Sequence, residues 1–147
     1  MLKSKKINIG ISIGDPNGIG IEIILKVLSE SHLYEKCNFI IYSSLDLIVK
    51  QQDFFKITTL PLKKIDSLDK IVSDHINIKE VFSSSKFEFG KKDKEISANG
   101  IISFKEAVED AKSKKIDILI TAPISKSLSY SSSFKFSGHT DLSLIHI

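Results

Sequence analysis

The sequence predicts an α/β domain with a mostly parallel sheet flanked by helices. Short apolar runs rich in β-branched residues alternate with segments whose apolar residues recur at helical spacing. Glycine or proline marks several of the junctions between them. In such sheets ligands bind beyond the carboxyl ends of the strands, so the loops that follow the strands are the places to search for a site.

The first half of the chain predicts three strands and two helices. A helix over residues 19–30 is apolar almost all round, so we expect it to be largely buried. Ser44 is placed to cap a second, shorter helix that runs to Gln51. The predicted strands are 7–13, 38–42 and 55–60, the last ended by Pro61.

In the second half of the chain the pattern of apolar residues is irregular up to residue 94 and regular from Ser97 onward. Ile76, Ile78 and Phe82 suggest a strand, and residues 87–94 suggest an exposed loop that turns at Gly90. From Ser97 onward the apolar residues follow helical spacing, which predicts a helix. The run 116–120 predicts a final strand, and it leads into the loop Thr121-Ala122-Pro123.

Composition excludes several classes of protein. The 147 residues carry a net charge of only +3, and their scattered lysines without interleaved aromatics argue against nucleic-acid binding. No run approaches the roughly 18 apolar residues of a membrane span, and the N-terminal stretch does not read as a signal peptide. Cys37 is the only cysteine, which precludes an intrachain disulfide. We therefore expect a cytoplasmic protein that binds neither nucleic acid nor membrane.

A glycine-rich loop separates the first predicted strand from the first helix. It reads Gly14-Asp15-Pro16-Asn17-Gly18-Ile19-Gly20-Ile21-Glu22 and fits neither the P-loop nor the dinucleotide fingerprint. Backbone N–H groups and the helix dipole make such a loop a candidate phosphate or carboxylate site. Alternatively, its glycines only make a tight connection, with Asp15 or Asn17 capping the helix. The candidate site residues here are Asp15, Asn17, Gly18 and Gly20.

Two later segments carry residues suited to an anionic substrate. Thr121-Ala122-Pro123-Ile124-Ser125-Lys126 places a lysine just beyond a strand end, where it can act as a point charge. Ser137-Gly138-His139-Thr140-Asp141 contains a histidine suited to a phosphate oxygen or to proton transfer near neutral pH. Taken singly, a solvated lysine and a hydrogen-bonded structural histidine are the commoner interpretations.

Four motifs in this order resemble the 4-hydroxythreonine-4-phosphate dehydrogenase family of pyridoxine biosynthesis. The family's Gly-Asp-Pro-x-Gly-Ile-Gly-x-Glu loop matches from Gly14 to Glu22, and its Ser-Ala-x-x-Gly helix start matches at 97–100 with the glycine one place early. Its Thr-Ala-Pro-Ile-x-Lys motif matches at 121–126, and its Gly-His-Thr-Glu motif matches at 138–141 with Asp for Glu. Residues 51–94 carry little of the resemblance.

The resemblance implies an isocitrate/isopropylmalate-dehydrogenase-like fold of two α/β domains, of which residues 1–142 form an incomplete N-terminal part. It implies a homodimer and NAD-dependent oxidation and decarboxylation of 4-hydroxythreonine 4-phosphate to 3-amino-2-oxopropyl phosphate. A divalent metal (Zn, Mg or Co) polarises the reacting oxygen in that chemistry. His139 and Thr140 match substrate-binding positions, while the Gly14 loop and Lys126 lie near the cleft.

The resemblance also implies what this chain lacks. The three metal-binding histidines of the family lie beyond Ile147, so we expect the chain alone to be inactive. Residues 143–147 depart from the family pattern and resemble a translated sequencing adapter. Other interpretations stay open: a paralogue acting on a threonate or erythronate phosphate, a non-catalytic phosphate-binding module, or a purely structural domain.

Overall fold

A computed structural model describes residues 4–124, which form a five-stranded sheet with helices on both faces. Every pair of neighbouring strands is parallel, in the order β3-β4-β2-β1-β5. The predicted α/β fold with a parallel sheet is therefore confirmed. The strands are β1 (Ile7–Ser12), β2 (Cys37–Ser43), β3 (Leu62–Ile65), β4 (Ile76–Glu80) and β5 (Ile118–Thr121). The helices are α1 (Gly20–Leu28), α2 (Leu45–Phe55) and α3 (Lys94–Lys112), with short 3-10 helices at Ser31–Glu35 and Leu68–Lys70.

The sheet lies between two unequal helical layers. On one face, Ile9, Ile11 and Ile41 pack in a single buried cluster with apolar residues of α1 and α2. On the other face, Ile40 and Tyr42 pack with Ala107 of α3. This alternation follows from the two-residue period of side chains along a strand, and it buries the central strands on both faces. Within the described residues, no helix has the length and apolar character of a membrane span.

Local sequence signals account for several helix boundaries. The Ser44 Oγ accepts a hydrogen bond from the Leu47 backbone N–H at 3.1 Å, so the predicted cap of α2 is confirmed. The Asp93 Oδ1 accepts from the Ile96 N–H at 3.0 Å and starts α3 three residues earlier than the predicted Ser97. Asp93 is a common capping residue, and it precedes the apolar period from which the helix was predicted.

The prediction of a strand at residues 55–60 is wrong. Phe55 is the last residue of α2, and Lys56 ends that helix in the left-handed region with φ of 53°. The third strand instead begins at Leu62, directly after Pro61. The aromatic pair Phe54-Phe55 reads as strand by composition, but its rings pack at the end of α2 against Phe87 and Phe89.

The prediction that the first helix is largely buried holds for only one of its faces. Ile21 and Leu25 are fully buried, whereas Ile19 just before α1, and Ile23 and Val27 within it, are 62%, 49% and 51% exposed. These three follow one another at intervals of four residues, so they form an apolar stripe along the helix. On the same face of the sheet, the edge strand β5 exposes Ile118 and Ile120.

The topology identifies where a ligand cleft belongs. The chain passes from β1 to β2 on one side, and after α3 it arrives at β5 on the other side of β1. The strand order therefore reverses between β1 and β5, and crevices at such a reversal are the usual ligand sites of open parallel sheets. The glycine-rich loop follows β1, and Ala122-Pro123 follows β5, so two of the predicted loops flank this point.

Candidate functional site

The loops after β1 and β5 are joined by backbone hydrogen bonds. The Asp15 N–H donates to the Pro123 carbonyl at 3.1 Å, and the Ala122 N–H donates to the Ser12 carbonyl at 3.0 Å. Gly14 has φ of 69°, and a side chain there would collide with the Pro123 carbonyl. A glycine is therefore required at this position both by its backbone conformation and by the close approach of the second loop.

Helix α3 approaches the same loop from the other face of the sheet. A Cβ on Gly100 would collide with the Gly14 carbonyl, and one on Gly20 would lie 2.7 Å from the Ile13 carbonyl oxygen. The glycines of the first two family-like motifs therefore let the strand end, α1 and α3 meet at contact distance. This packing gives the spacing of those motifs a physical reason.

The Asp15 carboxylate holds the loop together from inside. Its Oδ1 accepts from the Asn17 N–H at 2.9 Å, and its Oδ2 accepts from the Ser97 hydroxyl at 2.8 Å. The Gly18 N–H donates to the Asp15 carbonyl at 2.9 Å. Ile19 precedes α1 without any side-chain cap, so the idea that Asp15 or Asn17 caps this helix is wrong. Both acceptor oxygens of Asp15 are already used within the turn and by α3.

Asn17 ties the loop to the segment before α3. It is 5% exposed, its Oδ1 accepts from the Glu88 N–H at 2.6 Å, and its Nδ2 donates to the Lys91 carbonyl at 2.9 Å. The Gly90 N–H donates to the Asn17 carbonyl at 3.1 Å. Three hydrogen bonds from one residue therefore fix the position of residues 88–91.

Gln51 is a buried residue of α2 that hydrogen-bonds to the glycine-rich loop, whereas the sequence predicts it only as the end of the second helix. Its Nε2 donates to the Pro16 carbonyl at 2.8 Å, and the residue is fully buried. The Pro16 carbonyl lies in the turn before α1, outside the regular hydrogen bonds of helix and sheet, and Gln51 supplies its partner from α2. Nothing in the local sequence around Gln51 signals this role, because the contact spans 35 residues.

A buried polar network supports the loops from beneath. The hydroxyl of Ser103, in α3, accepts a hydrogen bond from the Ile13 N–H at 3.1 Å and donates one to the Tyr42 carbonyl at 2.6 Å. It therefore bridges the carboxyl ends of the neighbouring strands β1 and β2. The Tyr42 hydroxyl donates to Asp110, which also accepts from Lys79 at 2.8 Å. Burial, reinforced by the hydrogen bond to Asp110, raises the pKa of the Tyr42 hydroxyl.

The charges that suit an anion are sparse in the described part of this site. Glu22 lies in the first turn of α1 and pairs with Lys26 at 2.6 Å. Lys126, His139 and Thr140 lie outside the described residues. Within residues 4–124, no three His, Cys, Asp or Glu side chains are grouped so as to hold a metal ion. The structure places four of the predicted site residues in one loop that is held by hydrogen bonds and forms one wall of the candidate cleft: Asp15, Asn17, Gly18 and Gly20.

An open parallel sheet with helices on both faces, and with a glycine loop where the strand order reverses, is typical of the class of α/β proteins that bind a ligand in the crevice at that point. Within that class, the chain belongs to the family of the pyridoxal phosphate biosynthetic protein PdxA, which it matches over residues 35–144. That match includes residues 51–94, where the recognisable motifs are absent.

Curated relatives agree with this assignment. The chain is 33% identical over 135 residues to a 4-hydroxythreonine-4-phosphate dehydrogenase of Sulfurihydrogenibium, which covers 92% of this chain and 41% of that protein. It is 32% identical over 151 aligned positions to a putative D-threonate 4-phosphate dehydrogenase of Clostridium botulinum, covering 97% of this chain and 43% of the relative. The chain thus spans about two fifths of the length of these relatives.

Solved structures share the fold. A 4-hydroxythreonine-4-phosphate dehydrogenase from Burkholderia phymatum superposes with a TM-score of 0.85 at 23% identity, over 97% of this chain and 44% of that one. A putative enzyme of the same name from Salmonella typhimurium gives a TM-score of 0.81 at 24% identity, over 97% of this chain and 45% of its own. At these identities the likeness concerns the fold.

Proposed function

We propose that this chain is part of a dehydrogenase that oxidises 4-hydroxythreonine 4-phosphate with NAD and a divalent metal, giving 3-amino-2-oxopropyl phosphate and CO₂. The proposal depends on one observation. The Gly14 loop, Ser97 and the strand end at Thr121–Pro123 meet at the point where the strand order of the sheet reverses. Membership of the PdxA family and the names of the curated relatives support the reaction. A cytoplasmic homodimer is part of the same proposal.

In this proposal the described residues form one fixed wall of the cleft. Asp15 and Asn17 set the shape of the loop, Gly20 lets the start of α1 pack against the Ile13 carbonyl, and Gly18 leaves the loop backbone open to a substrate. Lys126, His139 and Thr140 follow β5 in the chain, and we assign them to the phosphorylated substrate. A wall whose polar groups are already hydrogen-bonded keeps its geometry when substrate binds, which favours precise positioning.

The proposed reaction needs both a divalent metal and NAD. The described residues do not fit a metal site, so we place the metal ligands outside them. When bound, NAD accepts the hydride that leaves the secondary alcohol carbon. The protein must then hold the hydroxy acid by its phosphate and carboxylate so that this carbon faces the nicotinamide.

A second substrate is favoured by one observation. The Clostridium botulinum relative, at a similar identity, is named for D-threonate 4-phosphate, which carries a hydroxyl where the first substrate carries an amine. The described residues do not separate the two, because both substrates share the phosphate, the secondary alcohol and the carboxylate.

The test is an assay of the longest reading frame that contains this chain. We expect NADH to form with 4-hydroxythreonine 4-phosphate, and formation with D-threonate 4-phosphate instead would select the second substrate. The absence of NADH with both substrates, in a folded protein supplied with divalent metal, would overturn the proposal. The 147-residue chain alone should give no turnover.

A further inference from the structure

A second polar recess lies on the same edge of the sheet, in the segment that follows β4. It consists of two adjoining cavities of about 430 and 490 Å³, which share Ser85, Lys86 and Ile96. Both volumes are in the range of small-molecule sites. The Gly14 loop lies beside it, because Asn17 fixes residues 88–91, which lead from the recess into α3.

The first cavity presents polar groups that the protein itself leaves free. The Ser83 hydroxyl, the Asn99 amide and the Glu95 carboxylate line it, and none of them hydrogen-bonds to another described residue. Hydroxyl and amide groups both donate and accept, while a carboxylate accepts from two neighbouring hydroxyls. This set suits a ligand with several hydroxyl groups, and an acidic side chain is a common partner of a ribose diol.

The boundary between the two cavities carries positive charge. The Lys50 ammonium donates to the Ser85 hydroxyl at 2.7 Å, and the Lys86 ammonium has no ion-pair partner among residues 4–124. Lys50 and Lys86 come from different elements and both line the second cavity. A phosphate between them would find two ammonium groups and a serine hydroxyl, which form charge-assisted hydrogen bonds.

The acidic residues near this boundary are already engaged. Glu88 pairs with Lys91, and Asp93 accepts the hydrogen bond that caps α3. Of the three carboxylates around the two cavities, Glu95 is the one that makes no hydrogen bond or ion pair to another described residue. The recess thus offers a cationic position for a phosphate and, beside it, a polar cavity with one free carboxylate.

We propose that this recess binds a sugar phosphate, with the phosphate between Lys50 and Lys86 and the sugar hydroxyls toward Glu95 and Asn99. This inference rests on the proposed function, because it assigns the recess to the ribose phosphate part of the dinucleotide coenzyme. The recess and the Gly14 loop share one edge of the sheet, so a dinucleotide anchored here extends toward the substrate cleft.

The test is calorimetric titration of the 147-residue chain with ADP-ribose, ribose 5-phosphate, inorganic phosphate and adenosine. We expect saturable binding of the first two, weaker binding of phosphate and none of adenosine. Lys86→Gln should weaken ADP-ribose binding about tenfold through the loss of a charged hydrogen bond. Glu95→Gln should weaken ribose 5-phosphate binding and leave phosphate binding unchanged.

The matched control is Lys63→Gln. Lys63 lines a third cavity of about 360 Å³ that also contains Lys64 and Lys70, away from the recess. An equal loss of binding with Lys63→Gln would mean that lysine charge alone attracts the ligand and would overturn the proposal. So would an absence of saturable binding by a chain whose circular dichroism shows it folded.

The two proposals fail separately. NADH formation by the longer protein without ADP-ribose binding to the recess would overturn this site and leave the dehydrogenase proposal standing. Specific binding at the recess without NADH formation would overturn the dehydrogenase assignment and support a nucleotide-binding site of other purpose.

Discussion

The Asp15 carboxylate and the Ser97 hydroxyl meet at 2.8 Å, although 82 residues separate them in the chain. This contact joins the loop after the first strand to the first turns of α3. Two motifs that are far apart in sequence therefore belong to one physical unit, the wall of the candidate cleft. The contact also makes the wall testable by single substitutions.

Ser97→Ala removes the donor and leaves one Asp15 oxygen without its partner. We expect the free energy of unfolding to fall by about 1–2 kcal/mol, the usual cost of losing a hydrogen bond to a charged group in a partly buried site. Urea denaturation measures this loss. Ser113→Ala, at the exposed far end of the same helix, is the control. An equally small change in both variants would contradict the role of the contact.

Gly100→Ala distinguishes packing from helix propensity by sign. Propensity alone predicts stabilisation by about 1 kcal/mol, because alanine favours helix over glycine. The added Cβ would collide with the Gly14 carbonyl, so we expect destabilisation by about 1–3 kcal/mol instead. Gly18→Ala serves as comparison, since its Cβ would lie 3.3 Å from the Asp15 carbonyl oxygen. A more stable Gly100→Ala protein would refute the close approach.

Asn17→Ala should release residues 88–91 while leaving the sheet intact. The Glu88 N–H loses its acceptor, and the Gly90 N–H, bonded to the Asn17 carbonyl, loses the rigidity of its surroundings. Hydrogen exchange should therefore speed up at both amides. The Leu47 amide, held by the Ser44 cap, provides an internal reference that should not change. Unaltered exchange at Glu88 would show that Asn17 does not hold this segment.

Alkaline pH should unfold the protein through two buried tyrosines. Burial raises the pKa of Tyr34 from 10.0 to about 12 and also raises that of Tyr42. A raised folded-state pKa means that the stabilisation is complete below pH 10 and is lost as pH rises through the folded value. Unfolding free energies measured across this range should fall, and Tyr34→Phe should make the fall shallower. Ionisation of both hydroxyls near pH 10 in the folded chain would contradict this prediction.

The apolar stripe of Ile19, Ile23 and Val27 should make the isolated chain self-associate. Ile23→Lys places a charge in the middle of the stripe, and we expect a smaller sedimentation coefficient at the same concentration. Ile102→Lys is the control, because Ile102 is exposed on α3, away from this stripe. Equal behaviour of the two variants would exclude the stripe as the cause of association.

The sequence supported the fold more firmly than it supported the site. Strands β1 and β2 and the Ser44 cap depend on nearby residues, and a single chain displays those signals directly. The strand expected at residues 55–60 failed because Phe54 and Phe55 have strand-like composition but end a helix. Residues such as Gln51 and Ser103 act across 35 and 90 residues, and such contacts leave no local pattern.

The glycine loop has a consequence for the order in which the molecule forms. The loop and the strand end before it make hydrogen bonds to residues much later in the chain. Asn17 bonds to Glu88 across 71 residues, Asp15 to Ser97 across 82, and Ile13 to Ser103 across 90. Contacts of such long range slow folding, because the chain loses loop entropy before they form. During synthesis the loop therefore leaves the ribosome long before its partners, and the cleft wall cannot be completed until the segment from Glu88 to Ser103 has been made.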